Sequence, residues 1–296
     1  MRAAVVFGPG SSAKDLRPFQ ENLESTWAMD LPARSSEADA ILVFGGDGTV
    51  HRHLAQLVKL RLPVLVVPCG SGNDFARALK LFRVQDSLAA WRKFSSGQNN
   101  VGTVDLGLIA PIRVGAGAHE SIAIRYFSCV GGVGLDVEIA RRANRLPRWL
   151  RARGGYIFSL LPALFSFAPI AMSISVPCPV RSEATEVRSA KAIVVAAFAN
   201  TRTYGGGMKI APRAELDDGA LDVCMVHRMS KLKLFGLFPS VYFGRHLSIA
   251  QVEYFRTESL RLETEEPSDV YADGEFVCRT PIEVRVARGA LRVIRP

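Results

Sequence analysis

A chain of 296 residues can hold one large domain or two of ordinary size, and with 48% of them hydrophobic a sizeable core is available. Lys and Arg number 37 against 28 Asp and Glu, a formal charge of +9 that favours nucleotides, anionic lipid surfaces or nucleic acid as partners. Neither a zinc-ligand spacing nor an RNA-binding aromatic signature is present, so no nucleic-acid partner is expected.

Ala3 to Phe7 reads as a first strand, ended by Gly8-Pro9-Gly10-Ser11-Ser12. Either a nucleotide-facing loop or a plain surface turn fits that stretch. Met1 to Gly10 is not a signal peptide, because its apolar run is too short. The next strand, Ile41-Leu42-Val43-Phe44, breaks into Gly45-Gly46-Asp47-Gly48-Thr49. A helix follows, with apolar residues at Val50, Leu54, Leu57, Val58 and Leu60. Strand, glycine turn and helix together present backbone N–H groups and a positive dipole end to an anion. Asp47 is the odd member, since a carboxylate there repels phosphate unless a metal ion or an acceptor hydroxyl lies beside it. An ordinary strand-to-helix turn is the alternative. No lysine follows the glycines, which excludes a Walker loop.

The pattern then repeats. Pro63 to Pro68 is a short apolar strand leading into Cys69-Gly70-Ser71-Gly72-Asn73-Asp74-Phe75, with Asn73 or Asp74 placed to cap a helix. Two such units in tandem put both loops on the carboxyl edge of a parallel sheet, where open α/β sheets bind ligands. Beyond Val101 the texture changes to short β-rich segments broken by turns, which predicts a largely antiparallel second domain. The expected boundaries are 1–105 for the α/β domain and 106–296 for the second.

Between the strands, Arg141, Arg142, Arg145, Arg148, Arg151 and Arg153 precede an uncharged run from Tyr156 to Val176. Pro162, Pro169 and the alternation in Met172 to Val176 argue against a transmembrane span, and for a helix to about Phe167 followed by a strand. The basic helix is expected either on an anionic bilayer or as an ordinary solvated face. Glu215-Leu216-Asp217-Asp218-Gly219-Ala220 can offer oxygens to a hard cation such as Mg²⁺, or simply form a turn. Asp273-Gly274 between strand-like runs is a hairpin signal. Cys69, Cys129, Cys178, Cys224 and Cys278 are scattered and never form a C-x-x-C pair, which predicts a reducing, cytoplasmic compartment.

Read together, Gly45-Gly46-Asp47-Gly48-Thr49, Pro68-x-Gly70-Ser71-Gly72-Asn73-Asp74-Phe75-Ala76-Arg77, Tyr204-Gly205-Gly206-Gly207, Asp217-Asp218-Gly219 and Asp273-Gly274-Glu275 resemble the diacylglycerol kinase catalytic family. That family includes soluble bacterial lipid kinases and the sphingosine and ceramide kinases. The resemblance runs over essentially the whole chain. It implies an α/β nucleotide-binding domain, a β-sandwich domain, an active site in the cleft between them, and a C-terminal segment near 282–296 that returns to the first domain.

The same resemblance implies site residues. Gly45, Gly46, Asp47, Gly48, Thr49, Val50, His51 and Arg52, with Gly70, Ser71, Gly72 and Asn73, would hold ATP, with a further contact near Ser35 or Ser36. Glu275 would be the proton acceptor, Asp273 and Asp47 its catalytic neighbours. Asp218, with the carbonyls of Glu215 and Ala220, would bind a structural Mg²⁺, and Asp105 and Asp136 would link that metal to the active site. Gly8, where the family has asparagine, and Arg52, where it has glutamate, depart from the pattern. The expected activity is an ATP- and Mg²⁺-dependent lipid kinase, cytoplasmic and peripheral at the inner face of the membrane. A NAD-kinase-like enzyme and a catalytically silent lipid- or nucleotide-binding protein are the rivals, and a homodimer stays open.

Overall fold

The computed structural model describes residues 1–21, 25–112, 124–145, 162–177 and 185–296. They form two compact units, Met1–Leu106 with Ala287–Pro296, and Gly107–Val286.

In the first unit, β1 (Arg2–Phe7), β2 (Thr26–Met29), β3 (Ala40–Gly45) and β4 (Val64–Pro68) pair in parallel in the order β2–β1–β3–β4. β3 is buried at every position, as an unbroken apolar strand in the middle of a parallel sheet must be. Four helices accompany the strands: α1 (Ala13–Gln20), α2 (Asp47–Leu60), α3 (Asp74–Ala78) and α4 (Val84–Ser95). The Phe44 ring lies 5.2 Å from that of Phe19 on α1 and 5.3 Å from that of Phe7. Trp91 of α4, fully buried, packs on Trp27 at 5.6 Å.

The chain lays β2 on one side of β1 and β3 on the other, so the strand order reverses between β1 and β3. The loops leaving those two strands therefore flank a topological switch point. They pack tightly there. A methyl group on Gly8 would meet Thr49 Oγ1 at 2.0 Å, and one on Gly45 would meet it at 2.4 Å. These glycines exist to let the Thr49 side chain in.

The second unit is antiparallel. β5 (Val101–Pro111) enters it, followed by β6 (Arg125–Phe127), β7 (Val130–Gly134), α5 (Leu135–Arg145), β8 (Ile170–Pro177), β9 (Thr185–Ala199) and β10 (Leu221–His227). Helix α6 (Lys231–Tyr242) comes next, then β11 (Val252–Thr257), β12 (Ser259–Thr264), β13 (Asp269–Ala272), β14 (Glu275–Arg279) and β15 (Ile282–Ile294). β9 is the long member. Its first half pairs with β8, and its second half has β7 on one side and β10 on the other. Val133, Met172, Ile174, Phe198, Val223, Leu262 and Val284 form the core, with the Phe127 ring edge-on to Phe198 at 5.6 Å. β15 begins against β12, and its far end lies parallel to β4 with Val293 opposite Val64.

The uncharged run read from sequence ends in β8, preceded by a helical turn at 162–166. The residues that would extend it upstream, 146–161, with Arg148, Arg151 and Arg153, lie outside the described residues. No helix among the described residues is long and apolar enough to cross a membrane.

The contact at the switch point generates a test. Gly8→Ala is expected to destabilise the protein by about 1–3 kcal/mol through overpacking. Thr49→Ala in the same chain removes the clashing Oγ1 and should recover part of that loss, read as a coupling energy by chemical denaturation.

Candidate active site

The glycine loops of the first unit converge at the amino ends of two helices. Gly46 is the N-cap of α2 and Asn73 that of α3. A methyl group on Gly70 would lie 2.5 Å from Gly46 Cα, and one on Gly46 would lie 3.0 Å from Gly70 Cα. Only glycine on both sides allows the loops this approach. The Asp47 carboxylate joins them: Oδ2 accepts from the Asp74 N–H at 3.1 Å and Oδ1 from the Phe75 N–H at 3.0 Å. A carboxylate beside a phosphate loop thus has a partner that neither a metal nor an acceptor hydroxyl provides. It caps α3.

The capping expected of Asn73 or Asp74 is corrected accordingly. Asn73 sits in the left-handed region at φ 58° and folds its amide back on Gly70, accepting from its N–H at 2.9 Å and donating to its carbonyl at 2.7 Å. Asp74 is buried and pairs with Arg77 at 3.3 Å. Thr49 and Val50 are buried too, so their side chains are committed to the core and not turned to a ligand. What the loops offer an anion is the backbone of Gly46, Gly48 and Gly72, the exposed Ser71 side chain and the α2 dipole. His51 is half-buried and Arg52 exposed in the next turn, while Ser35 and Ser36 lie on an exposed 3₁₀ turn. Burial raises the Cys69 thiol.

In the second unit Asp273 and Gly274, at φ 51° and 85°, make the two-residue hairpin between β13 and β14. The Asp273 carboxylate is surrounded by donors. Oδ1 accepts from the N–H groups of Cys129 at 2.8 Å and Val130 at 3.3 Å, and Oδ2 from the Ser128 N–H at 2.8 Å and its hydroxyl at 3.1 Å. Buried Asn200 braces the same segment, its amide donating to the Ser128 carbonyl at 3.1 Å. Two residues on, Glu275 is exposed, at the first position of β14 opposite Ala272, with exposed Phe276 beside it.

The turn before β10 carries the expected metal ligands. Glu215 is exposed, 3.9 Å from Arg202. Asp218 Oδ1 accepts from the Ala220 N–H at 3.1 Å, and its Oδ2 is held by the Arg256 guanidinium. Beneath them, buried Asp222 accepts from the Tyr254 hydroxyl at 2.6 Å, and burial raises the Asp222 carboxyl. Both Asp218 oxygens face donors in this arrangement, one of them the Arg256 guanidinium. Among the described residues no three or more His, Cys, Asp or Glu gather in a group that could hold a metal through side chains alone. Asp105 and Asp136 lie in different units. Asp105 accepts from the Gly289 N–H at 2.6 Å, whereas Asp136 is buried, leaves Oδ1 without a hydrogen-bond partner and is pushed up to about 7 by burial.

Residues 18–109 match the diacylglycerol kinase catalytic domain, and residues 129–295 match the YegS C-terminal NAD kinase beta sandwich-like domain. A diacylglycerol kinase of Mycobacterium tuberculosis is 34% identical over 259 residues, covering 87% of this chain and 77% of that protein. The chain belongs to the diacylglycerol kinase family. A crystal structure of a diacylglycerol kinase from Bacillus anthracis, 18% identical, covers 100% of this chain and 97% of its own with a TM-score of 0.66. An Archaeoglobus fulgidus NAD kinase crystallised with ATP, 14% identical, covers 100% and 94% with a TM-score of 0.51. Those two structures establish the fold alone.

Asp222, Tyr254, Arg256, Ser128 and Asn200 support the loop and hairpin residues, and no motif in the sequence announced them. Their signal is weak because each depends on a partner strand.

Two tests follow from the geometry. Asp47→Ala leaves two helix N-terminal N–H groups without their acceptor and should cost about 1–3 kcal/mol, with Asp47→Asn, which keeps one acceptor oxygen, in between. Equal denaturation midpoints for all three proteins would remove the capping role. Asp136 titrates near 3.8 when unperturbed and near 7 in the fold. Between those values the folded state keeps a proton that the unfolded state releases. Stability therefore falls as pH rises through that window and levels off above it. Asp136→Asn should flatten the dependence and leave the protein more stable than wild type at pH 7.

Proposed function

We propose that this chain is an ATP-dependent lipid kinase that phosphorylates the hydroxyl of diacylglycerol or a related lipid alcohol at the cytoplasmic surface of a membrane. The reading is carried by the contrast between two carboxylates two residues apart. Asp273 is engaged by three backbone N–H groups and a hydroxyl, while Glu275 stands exposed at the strand end that Asp273 fixes. Asp273 is thus a positioning residue and Glu275 the candidate base.

The glycine backbone of the two loops, Ser71 and the positive end of α2 bind the triphosphate of ATP. Mg²⁺ comes with ATP as part of the donor and neutralises phosphate charge. Glu275 accepts the proton of the lipid hydroxyl as its oxygen forms a bond to the γ-phosphorus. The bond from that phosphorus to the β–γ bridging oxygen breaks, and ADP leaves with the electron pair. Phosphoryl transfer asks for this positioning and charge neutralisation more than for covalent help. The likeness to NAD kinase is one of fold, and no feature of the described residues favours a dinucleotide acceptor.

The experiment is phosphate transfer from labelled ATP in mixed micelles. The panel holds diacylglycerol, monoacylglycerol, phosphatidylglycerol, sphingosine, ceramide and undecaprenol, with NAD as the soluble control. A labelled lipid is expected, and Glu275→Gln should reduce turnover by about 10²-fold or more without changing the melting temperature. Labelled NADP with unlabelled lipids would overturn the reading, and undiminished turnover in Glu275→Gln would remove its role as base.

A further inference from the structure

The basic run at 141–153 is the obvious membrane contact by sequence, and two arginines of its described part share one carboxylate. Glu138 takes Arg141 at 2.6 Å and Arg142 at 2.5 Å. Another cationic surface among the described residues lies on α6.

Helix α6 is apolar on two faces. Leu234, Leu237 and Val241 are buried and hold it to the second unit. The opposite face carries Leu232, 83% exposed, and Phe235, 50% exposed, followed by exposed Gly236 and Pro239 and then Phe243 at the C-cap, 71% exposed. Positions 232, 235, 236, 239 and 243 follow the 3.6-residue period, so these residues form one stripe. Phe165, 65% exposed, adjoins the first turn, where its carbonyl accepts from Lys231 Nζ. A cavity of about 500 Å³ opens between them, lined by Leu164, Phe167, Val194 and Leu234 with Arg228 and Lys231. A helix facing water normally puts charge on its outer side. This one does not.

Cations frame the stripe. Arg228, Lys231 and Lys233 stand at its start and Arg245 at its end, with the Arg245 guanidinium 6.0 Å from the centre of the Phe243 ring. From Arg228 to Gln251 the sequence contains no Asp or Glu. Apolar wedges at the centre and cations at the rim match the acyl boundary and the headgroups of an anionic bilayer. A second copy of this chain matches poorly, because a two-fold contact would bring the same cations together.

We propose that the outer face of α6, with Phe165, is the surface by which this protein docks on an anionic lipid bilayer. The inference rests on the lipid-kinase reading above and names the element that brings the enzyme to its acceptor. Leu232, Phe235 and Phe243 enter the interface, and Lys233 and Arg245 meet lipid phosphates.

The test is co-sedimentation of the full chain with phosphatidylcholine vesicles, with and without phosphatidylglycerol. Binding is expected only when phosphatidylglycerol is present, and it weakens as salt is raised. The variant Leu232→Ser/Phe235→Ser/Phe243→Ser should bind at least tenfold more weakly. Lys233→Gln/Arg245→Gln should lose the preference for anionic vesicles. Both should keep the wild-type melting temperature and their turnover of a short-chain, water-soluble diacylglycerol. Wild-type protein that fails to sediment with anionic vesicles overturns the proposal, as does a triple variant that binds like wild type. A wild-type dimer that becomes monomeric in the triple variant, with vesicle affinity unchanged, also overturns it and assigns the face to a second copy. Vesicle binding that depends on α6 without phosphorylation of any lipid sustains the docking surface and sinks the kinase reading instead.

Discussion

The carboxylate of Asp47 holds two helix amino ends at one point. Helix α3 is five residues long, far below the length at which a helix is stable by itself in water. Burial of Phe75 and Ala76 fixes it to the sheet, and Asp47 accepts from the backbone N–H groups at its start. The same aspartate opens α2, where a negative charge is favoured by the helix dipole. Contact between Gly46 and Gly70 brings the loops close enough for this bond to form. The phosphate binding proposed for this edge would be a consequence. Once the helix starts are pinned together, the glycine backbone around them is the surface that remains for an anion.

Aspartate repeats this duty in other motifs. Asp273 gathers the N–H groups of residues 128–130 and so sets the hairpin that begins β14. Asp105 accepts from Gly289, whose φ of 57° marks a turn inside β15. A carboxylate accepting backbone N–H bonds gains from charge assistance and leaves its chain segment little freedom. Loss of such a residue therefore harms activity without its touching substrate. That separates Asp273 from Glu275: their motif is shared, but only Glu275 has its carboxylate at an exposed strand end.

Much of this architecture was legible in the residues. Continuous apolar runs ending in glycine specify buried parallel strands, and Asp273-Gly274 specifies a tight hairpin, because both depend on neighbours in sequence. Capping by Asp47 was not legible, since its donors lie 27 and 28 residues away. Local rules left the cap to Asn73 or Asp74, but the Asn73 amide closes on Gly70 and the Asp74 carboxylate pairs with Arg77. Thr49 was expected among the residues holding ATP, but Gly8 and Gly45 leave the space that its buried side chain fills. The Arg256 that occupies Asp218 also lay out of reach. It is set by the β10–β11 register, which places Asp222 opposite Arg256. The exposed face of α6 drew no reading from the sequence, because exposure of Leu232 and Phe243 is a property of the packed fold.

The formal charge of +9 also changes meaning once positions are known. Arg141 and Arg142 face Glu138, Arg256 faces Asp218, Arg261 faces Glu263, Arg279 faces Asp269 and Arg285 faces Glu283. Exposed pairs of this kind add about 0–1 kcal/mol each to stability, so their larger effect is to cancel field locally. A polyanionic surface is felt across roughly a Debye length, about 8 Å at physiological salt. At that range an arginine paired with a carboxylate attracts less than cations in a stretch without acids. The stretch from Arg228 to Gln251 is such a place, and it is also where apolar side chains stand in water. Charge that draws a surface near and apolar area that enters it are useful only when they coincide, because attraction alone is reversed by salt and apolar contact alone does not orient the molecule.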